Sequence, residues 1–373
     1  MAKATQTRYI ADNVRRDLPQ KMVFIGGPRQ VGKTTLSKTI ATKFGYLNWD
    51  EDVHRERILR NELPTEKIII LDEIHKFRSW RNWLKGKFDT LRDRHQFLVT
   101  GSARLDLYRY SGDSLQGRYF YYRLHPFSVA ELKIRTAKDF QELFSLSGFP
   151  EPFLSGSLTD YKRWSRSYRT RLFKEDIQSL ERVDDLGNME LLALRLPELV
   201  GSPLSINALR EDLQISHKKT ARYLNILERT YAIFRISPFG SPKIRAVKKE
   251  QKHYHFDWAL IAEDSKRLEN LVASHLLKWT HFQEDTQGSD IELRYFRDSD
   301  GREVDFVVTE NKKPTLLIEV KQSGREISPH LRYLKTKFPS AKAFQVHNDA
   351  KIDFVSGEGI RCCPAWIFLH DLI

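Results

Sequence analysis

Short apolar runs recur along the first 126 residues, and polar or helix-forming stretches separate them. The clearest runs are 21–25, 67–71, 96–100 and 119–124, with a further one at 46–50. Each has the length of a buried strand, and helix-sized stretches lie between them. Strands that alternate with helices predict a parallel sheet whose ligands bind at the carboxyl ends of the strands. Residues 1–126 are therefore expected to form an α/β domain.

The hydrophobic pattern changes three times after residue 126. Residues 127–203 are predicted to be a helical lid or linker with breaks, one of them a loop at Phe149-Pro150-Glu151-Pro152. Residues 204–250 have a helix, a turn at Gln214, a second helix capped by Ser216, and then a strand, which is the order of a winged helix. Residues 251–373 contain further strands and are predicted to form a second α/β domain.

Composition narrows the class of protein. The 373 residues contain no apolar run near the roughly 20 residues of a membrane helix, and the N-terminus MAKATQTRYIADNVRRDLPQ has no apolar core of a signal peptide. We expect a cytoplasmic protein with no membrane partner. The only two cysteines, Cys362 and Cys363, are adjacent, so they cannot form a disulfide framework, and we expect both to be buried as small apolar residues.

Positive charge is concentrated in one short stretch. The formal net charge is +13, and residues 217–250 contain nine basic and two acidic residues, which is +7 of that total. Such clustering favours a surface that faces phosphates, although a solvated basic face or a protein-interaction module would have the same composition. Recognition helices contact DNA with their N-terminal residues. The candidate DNA contacts are Lys218, Lys219, Arg222, Lys243, Arg245, Lys248 and Lys249.

A phosphate-binding pattern follows the first apolar run. Residues 27–34 have the spacing G-x-x-x-x-G-K-T between a predicted strand and a predicted helix, which is the context that a P-loop requires. The two glycines let the backbone approach phosphate oxygens, the lysine reaches the β- and γ-phosphates, and the threonine hydroxyl binds Mg²⁺. The candidate nucleotide-binding residues are Gly27, Pro28, Arg29, Gln30, Val31, Gly32, Lys33, Thr34 and Thr35.

A second element supports the P-loop. The apolar run 67–71 ends in Asp72 and Glu73. Asp72 is expected to hold Mg²⁺ through water together with Thr34, and Glu73 to polarise the attacking water as general base. Two surface acids that cap a buried strand are the alternative, but the order and spacing of both elements favour an ATP site.

The last third contains a different set of acids. Asp305 lies in the apolar-alternating run 301–308, and Glu319 and Lys321 lie two apart in the run 316–321, so both point to one face of a strand. Two carboxylates and a lysine on one sheet face can hold Mg²⁺ and activate water for attack on a phosphodiester. A salt-bridged sheet edge is the alternative. Nearby histidines, such as His253, His255 and His275, lack the spacing of a metal site and are expected on the surface.

Two resemblances add to these inferences. The segments GGPRQVGKTTL, IIILDEIHKF, FLVTGSARLDL and SLQGRYFYYRLHPFSVAEL resemble the AAA-type ATPase module of a widespread prokaryotic family, usually fused to a C-terminal domain of unknown function. The D…E-x-K pattern resembles restriction-endonuclease-like folds, which include Holliday-junction resolvases, and Glu269 matches their upstream helical acid. The implied architecture is a P-loop NTPase (AAA-like) parallel sheet, a helical and winged-helix middle, and an α/β restriction-endonuclease-like C-terminal domain.

The AAA resemblance also implies residue roles and an assembly. Thr100 or Ser102 would be the sensor-1 residue that orients water near the γ-phosphate. Arg118, with Arg123 and Arg104 as rivals, would reach the nucleotide of a neighbouring subunit, although a plain surface arginine is the alternative. A homo-oligomer such as a hexamer follows from this resemblance.

The leading hypothesis is an ATP-hydrolysing DNA-binding motor or remodeller that uses Mg²⁺ and acts on branched or otherwise structured DNA, for example Holliday junctions. The first alternative is an ATP-regulated, Mg²⁺-dependent DNA nuclease. The second is a nucleotide switch that scaffolds or senses partners.

Overall fold

A computed structural model describes residues 7–101, 115–178, 185–240, 251–324 and 326–373. The chain forms two compact units, Met1–Pro126 and Phe127–Ile373. Several predicted site residues lie outside the described residues, namely Ser102, Arg104, Lys243, Arg245, Lys248 and Lys249.

Five parallel strands form the sheet of the first unit. They are β1 (Met22–Gly26), β2 (Gly45–Asn48), β3 (Ile68–Asp72), β4 (Gln96–Thr100) and β5 (Tyr119–Arg123), paired in the order β2-β3-β4-β1-β5. These strands fall within one or two residues of the predicted apolar runs. Because all are parallel, their carboxyl ends meet at one edge, where β4 separates β1 from β3.

Helices cover this sheet: α1 (Ala11–Asp17), α2 (Lys33–Thr39), α3 (Asp52–Leu59) and α4 (Trp80–Leu91), with a 3-10 turn at Ile74–Lys76. Every residue of β1 is buried, as expected for a parallel strand with both faces covered. Phe24, Leu71 and Val99 of the sheet share one core with Trp80 and Leu84 of α4.

The second unit begins with helices: α5 (Ala137–Leu146), α6 (Pro150–Ser155), α7 (Leu158–Arg171), a π-helical turn (Leu172–Ile177), α8 (Leu186–Arg195) and a 3-10 turn (Leu196–Leu199). The predicted loop at Phe149–Pro152 is wrong. Pro150 is the first residue of α6, a position where its missing N–H costs nothing and its fixed φ suits the helix.

Two short helices and a strand pair follow. They are α9 (Ile206–Leu213), α10 (His217–Arg229), β6 (Ile233–Pro238) and β7 (Lys252–His255). The side chains of Ser205 and Ser216 cap α9 and α10 by accepting hydrogen bonds from backbone N–H groups of the first turns. Leu192 of α8, Leu209 of α9 and Leu227 of α10 share one buried core, so these three helices form a single packed layer.

An eight-stranded sheet completes the second unit. It adds β8 (Ile291–Arg297), β9 (Glu303–Glu310), β10 (Lys313–Lys321), β11 (Lys342–His347), β12 (Phe354–Val355) and β13 (Ile360–Pro364), in the order β12-β13-β11-β10-β9-β8-β6-β7. The remaining helices are α11 (Asp264–Gln287), α12 (Pro329–Lys337) and α13 (Ala365–His370), with a 3-10 turn at Trp258–Leu260. Cys362 and Cys363 are free and buried, as predicted.

Among the described residues, no helix combines the length and the apolar character needed to cross a bilayer.

Candidate functional site

The loop between β1 and α2 is shaped by two glycines. Gly27 has φ +137°, and a Cβ at this position would lie 2.3 Å from the backbone oxygen of Leu124. Gly32 has φ 98° and immediately precedes α2. Both backbone conformations favour glycine, so the sequence G-x-x-x-x-G is required by the course of the loop itself. Thr35 lies exposed in the first turn of α2, whereas Pro28 and Val31 are buried.

Lys33 lies against the loop that it follows. Its Nζ donates hydrogen bonds to the carbonyl oxygens of Gly27, at 2.9 Å, and Pro28, at 2.7 Å. The residue is 8% exposed. The ammonium is therefore held at the mouth of the loop, where backbone N–H groups at the start of α2 also face an incoming anion.

Asp72 accepts hydrogen bonds from hydroxyl groups of two neighbouring elements. Its Oδ2 accepts from Thr34 Oγ1 at 2.8 Å, and its Oδ1 accepts from Thr100 Oγ1 at 2.5 Å. Thr100 lies directly beside Asp72 because β3 and β4 pair them in register. The P-loop threonine and the polar end of β4 thus meet at one carboxylate; the pairing of Thr34 with Asp72 was expected from sequence, and the contact of Thr100 with Asp72 was not.

A third hydroxyl at Asp72 was not predicted. Tyr46 of β2 donates to Asp72 Oδ2 at 2.8 Å. Burial, and then the Asp72 carboxylate, raise the pKa of the Tyr46 phenol, so it remains a donor. Only the strand order, which places β2 next to β3, could have shown this contact.

Glu73 occupies a left-handed turn at the end of β3, with φ 55° and ψ 20°. Its side chain is 22% exposed, and Oε2 lies 3.4 Å from His75 Nε2 and 3.5 Å from Lys76 Nζ. Burial raises the pKa of its carboxyl group, and the nearby Lys76 and Lys33 oppose that rise. A partly buried carboxylate next to the magnesium-binding candidate has the environment expected of a general base.

Arg8 is a further contributor that the sequence analysis missed. Its guanidinium donates to the carbonyl oxygen of Val31 at 2.6 Å and to that of His125, beyond the end of β5. The residue is 7% exposed. Arg8 therefore ties the P-loop backbone to the neighbouring strand end. It precedes the first strand and belongs to no motif, so the sequence carried no signal for it.

Arg118, the leading candidate for an arginine that acts in trans, is engaged within its own unit. Its Nε lies 2.7 Å from Asp89 Oδ1 and its Nη2 lies 3.1 Å from Asp89 Oδ2, and its side chain is 32% exposed. Arg123, its rival, is 9% exposed. The Arg118 guanidinium would have to leave Asp89 to reach another nucleotide.

The residues at the P-loop suit Mg²⁺ and ATP. Thr34 and Asp72 supply a hydroxyl and a carboxylate 2.8 Å apart, and hard oxygen ligands of this kind are what Mg²⁺ prefers beside phosphates. Lys33 and the Gly27 backbone supply the cation and the close approach that phosphate groups need. When bound, Mg²⁺ would neutralise charge on the β- and γ-phosphates.

The predicted DNA contacts on α10 differ from one another. Lys218 and Arg222 are exposed and four residues apart, so they lie on one face of the helix. Lys219 Nζ lies 2.8 Å from Asp185 Oδ2. The hydrogen bonds from Lys219 and Asn188 lower the pKa of Asp185 to about 2, so Lys219 is already paired with a carboxylate.

The predicted acidic set of the C-terminal sheet is brought together. The pairing of Ile318 with Phe306 places Glu319 of β10 beside Asp305 of β9. Asp305 Oδ2 accepts from the backbone N–H of Val320 at 2.9 Å, and Lys321 Nζ lies 2.7 Å from Glu319 Oε1. Glu269 of α11 belongs to the same cluster, because one ammonium group lies 3.4 Å from its Oε1 and 3.5 Å from Asp305 Oδ1. Burial, and then the Asp305 carboxylate, raise the pKa of both Glu269 and Glu319 to about 7.

Lys252 enters this cluster from β7 and was not predicted. Its side chain is 0% exposed, and Nζ lies 2.7 Å from Glu303 Oε1, 3.4 Å from Glu269 Oε1 and 3.5 Å from Asp305 Oδ1. The lysine directly follows the basic stretch, and its burial depends on how β7 pairs. Glu303, two residues before Asp305 on β9, was also missed, although the spacing places both on one face.

These carboxylates do not fit a bound Mg²⁺. An ammonium group already lies within 3.5 Å of three of them, and a divalent cation there would be repelled by it. Over the described ranges, no group of three or more histidine, cysteine, aspartate or glutamate side chains is arranged to hold a metal ion. The cluster therefore has no place for the metal ion that metal-dependent cleavage would need.

The three histidines near the cluster are buried, so the expectation that they lie on the surface is wrong. His253, His255 and His275 are 0%, 4% and 3% exposed, because β7 and α11 are interior elements. Burial lowers their pKa values to about 4, 3 and 3, so they are neutral. His275 Nε2 accepts a hydrogen bond from the Val129 backbone N–H at 3.1 Å.

Family models match three successive parts of the chain. A model described as an AAA domain matches residues 19–133, and two models described as domains of unknown function, DUF8612 and DUF4143, match residues 137–267 and 265–368. The N-terminal unit is thus an AAA-type domain with a P-loop NTPase fold, followed by two domains of unknown function.

Curated relatives are distant. Uncharacterized proteins of Mycobacterium bovis and Mycobacterium tuberculosis are each 25% identical over 262 residues, covering 69% of this chain and 59% of theirs. An uncharacterized protein of Methanocaldococcus jannaschii is 26% identical over 293 residues, covering 62% of this chain and 60% of its own. The chain therefore spans about three fifths of the length of these relatives.

Solved structures give weak matches. A single-substitution variant of RuvB from Thermotoga maritima is 17% identical with a TM-score of 0.32, covering 60% of this chain and 85% of that one. A structure described as the basis of katanin self-assembly is 17% identical with a TM-score of 0.25, covering 59% and 78%. TM-scores this low support no conclusion about function.

Proposed function

We propose that this chain is an ATP-hydrolysing, DNA-binding motor or remodeller that acts on branched or otherwise structured DNA. The observation that carries the ATPase part is the convergence of Thr34, Asp72 and Thr100 beside the P-loop lysine. These groups come from α2, β3 and β4, and chance would seldom place three such side chains at one strand edge. The match of residues 19–133 to an AAA domain supports the same activity.

Each residue then has a chemical role. Lys33 and the loop N–H groups bind the β- and γ-phosphates, and Thr34 with Asp72 holds Mg²⁺. Glu73 accepts a proton from the attacking water. Its pKa is raised toward neutral pH, where a general base works best. Thr100 fixes the orientation of Asp72, and either Thr100 or Ser102 orients the water.

The DNA part is supported by the α8–α10 layer and the strand pair that follows it. Three packed helices and an antiparallel pair, β6 with β7, have the order of a winged helix. The exposed Lys218 and Arg222 are close to the N-terminal end of α10, where recognition helices contact DNA. The C-terminal sheet would then bind DNA beside this helix, and in this proposal Lys321, whose side chain is 48% exposed, supplies the positive charge there.

Assembly into a homo-oligomer, such as a hexamer, completes the proposal. Arg118 would supply positive charge to the nucleotide of a neighbouring subunit. Its bidentate bond with Asp89 is exposed, and exposed ion pairs contribute little to stability. Exchanging Asp89 for a triphosphate is therefore energetically accessible.

The experiment that tests the proposal is ATP hydrolysis measured with duplex, single-stranded, forked and four-way-junction DNA. We expect turnover that one of the structured DNAs stimulates, no turnover in Lys33→Ala, and ATP binding without turnover in Glu73→Gln. Lys43→Ala, which removes an exposed lysine just after α2, is the matched control and should retain wild-type rates. DNA cleavage is scored in the same reactions.

Three outcomes would contradict the proposal. A wild-type protein that binds no ATP excludes the ATPase and everything built on it. Turnover that no DNA changes, together with no DNA binding, would favour a nucleotide switch. Cleavage lost in Asp305→Asn would favour a nuclease.

A further inference from the structure

We propose that Lys252 is a built-in cation of the second unit. Its ammonium lies among Glu269, Glu303 and Asp305 as a fixed positive charge, and the unit holds this carboxylate cluster together without metal. The inference concerns a part of the chain remote in sequence from the P-loop and does not rest on ATP hydrolysis.

The position of the ammonium is the first argument. A side chain that is 0% exposed places Nζ within 3.5 Å of three carboxylate groups. Its Nζ also lies 5.6 Å from the centre of the Tyr295 ring, a distance at which the ring face attracts a cation. An ion buried in this way is stable only when opposite charges compensate it, and here three carboxyl groups surround it.

The orientation of the carboxylate oxygens is the second argument. Glu269 Oε1 also accepts from the Tyr254 hydroxyl at 2.7 Å, and Asp305 Oδ2 is used by the Val320 N–H. The other oxygen of Glu269, Oε2, points toward Gly201, where an added Cβ would lie only 2.6 Å away. Most oxygens that could ligate a metal therefore already have protein partners.

The remaining oxygen to consider for metal binding belongs to Glu319. Glu319 Oε2 is buried with no hydrogen-bond partner, while Glu319 Oε1 lies 2.7 Å from Lys321 Nζ. Mg²⁺ requires near-octahedral oxygen coordination, which this single oxygen cannot supply while Lys252 is present. If the ammonium were removed, Glu269 Oε1, Glu303 Oε1 and Asp305 Oδ1 would lose the cation that they now share, and the cluster would be open to another cation.

Lys252 connects three elements of the second unit. The lysine lies on β7, Glu269 lies on α11, and Glu303 and Asp305 lie on β9. The ammonium therefore ties the strand pair that follows α10 to the helix and the sheet of the C-terminal part. A lysine that performs this task permanently would make the unit independent of metal supply, and its carboxylates would be structural groups.

The test has two measurements on nucleotide-free protein. Calorimetry measures the binding of Mn²⁺ during a titration, and thermal melting with and without Mn²⁺ measures stability. We expect wild-type protein to show no binding that Asp305→Asn removes. Lys252→Met should melt at a lower temperature, gain a Mn²⁺ site at least tenfold tighter than any in wild type, and recover about 5 °C or more with saturating Mn²⁺. Adding Asp305→Asn to Lys252→Met should abolish both the site and the recovery.

Lys266→Met is the matched control, because Lys266 lies 3.1 Å from Glu263 but is 35% exposed; it should bind no more Mn²⁺ than wild type. Wild-type binding that Asp305→Asn abolishes would overturn the proposal, as would a folded Lys252→Met that gains no site. If Lys252→Met does not fold, the comparison of wild type with Asp305→Asn decides alone: binding in wild type that depends on Asp305 overturns the proposal, and its absence upholds it.

Discussion

The phenol of Tyr46 donates a 2.8 Å hydrogen bond to Asp72, from a strand that carries no recognised motif. The accepting oxygen, Oδ2, also receives the Thr34 hydroxyl. Together with Thr34 and Thr100, Tyr46 therefore restrains the rotation of the carboxylate that is proposed to hold Mg²⁺. Such a residue positions a catalytic group without touching ATP.

Tyr46→Phe tests this positioning role. Loss of one hydrogen bond to a carboxylate costs about 1.5 kcal/mol, so we expect ATP turnover to fall about tenfold, with most of the change in the Mg²⁺ concentration needed for half-maximal rate. Steady-state rates at varied Mg²⁺ measure the effect. Tyr122→Phe is the control, since Tyr122 also bonds a carboxylate, that of Asp17; it should lower stability and leave the Mg²⁺ dependence unchanged. An equal Mg²⁺ effect in both variants would show that Tyr46 has only a structural role.

Arg8→Met tests whether the P-loop backbone needs its tie to the end of β5. Two hydrogen bonds to carbonyl oxygens, of Val31 and His125, would be lost. We expect nucleotide affinity to fall about tenfold, because a charge-assisted bond contributes about 1.5–3 kcal/mol and part of this loss falls on the loop. Binding of a fluorescent ATP analogue measures it. Arg15→Met removes an exposed arginine that bonds the Thr39 carbonyl oxygen, and affinity there should stay within twofold. Unchanged affinity in Arg8→Met would show that the loop holds its shape alone.

Mixing two inactive variants tests the proposed role of Arg118 in a neighbouring site. Lys33→Ala removes ATP binding in its own subunit, and Arg118→Ala should lower turnover by about 10³-fold or more if the arginine acts in trans. An assembly of both variants contains some subunits with an intact P-loop next to an intact Arg118. We therefore expect the mixture to regain activity that neither variant has alone. Arg92→Ala, at the end of α4, is a surface control. An inactive mixture, in a protein shown to exchange subunits, would assign Arg118 to its pair with Asp89.

Salt dependence tests the exposed face of α10. Each phosphate contact contributes about 0.9 to the slope of log affinity against log salt on duplex DNA. Lys218→Ala with Arg222→Ala should therefore reduce the slope by about two. Lys219→Ala should change it little, because Lys219 is paired with Asp185. Fluorescence anisotropy between 50 and 300 mM salt measures the slopes. An equal loss in Lys219→Ala would mean that DNA displaces Asp185.

The buried imidazole of His275 predicts a pH effect. Its pKa is lowered to about 3, first by burial, and protonation of Nε2 would remove the bond from Val129. The unfolded chain, with a histidine pKa near 6.5, binds the proton first as the pH falls, so this contribution to stability is complete above pH 7 and is lost toward pH 3. Relative to His275→Gln, wild type should lose about 2 kcal/mol of unfolding free energy between pH 7.5 and pH 5.

Urea unfolding of both proteins at several pH values measures this difference. The wild-type curve alone is not sufficient, because Glu269 and Glu319 have pKa values raised to about 7. Their contribution to the free energy of unfolding decreases as the pH rises, which is opposite to the effect of His275. A constant difference between the two proteins would mean that His275 is accessible to protons in the folded state.

Motifs within a few consecutive residues were predictable from sequence, whereas side-chain contacts that depend on which strands pair were not. The P-loop and β3 were found because their requirements lie within a few consecutive residues, such as Gly27 and Gly32. Tyr46 and Lys252 were missed because their partners lie 26 and 17 or more residues away and become neighbours only through strand order. Pro150 was misassigned because proline is compatible with both a loop and a first helical turn.

The strand pair β6–β7 has a mechanical consequence. β6 follows α10, contributes Ile233 to the core of the three-helix layer, and also pairs with β8 through Ser237 and Pro238. β7 is anchored to α11 and β9 by the buried Lys252. A pull on α10 would thus pass through β6 and β7 into the eight-stranded sheet, so the helix and the sheet would respond to force as one body.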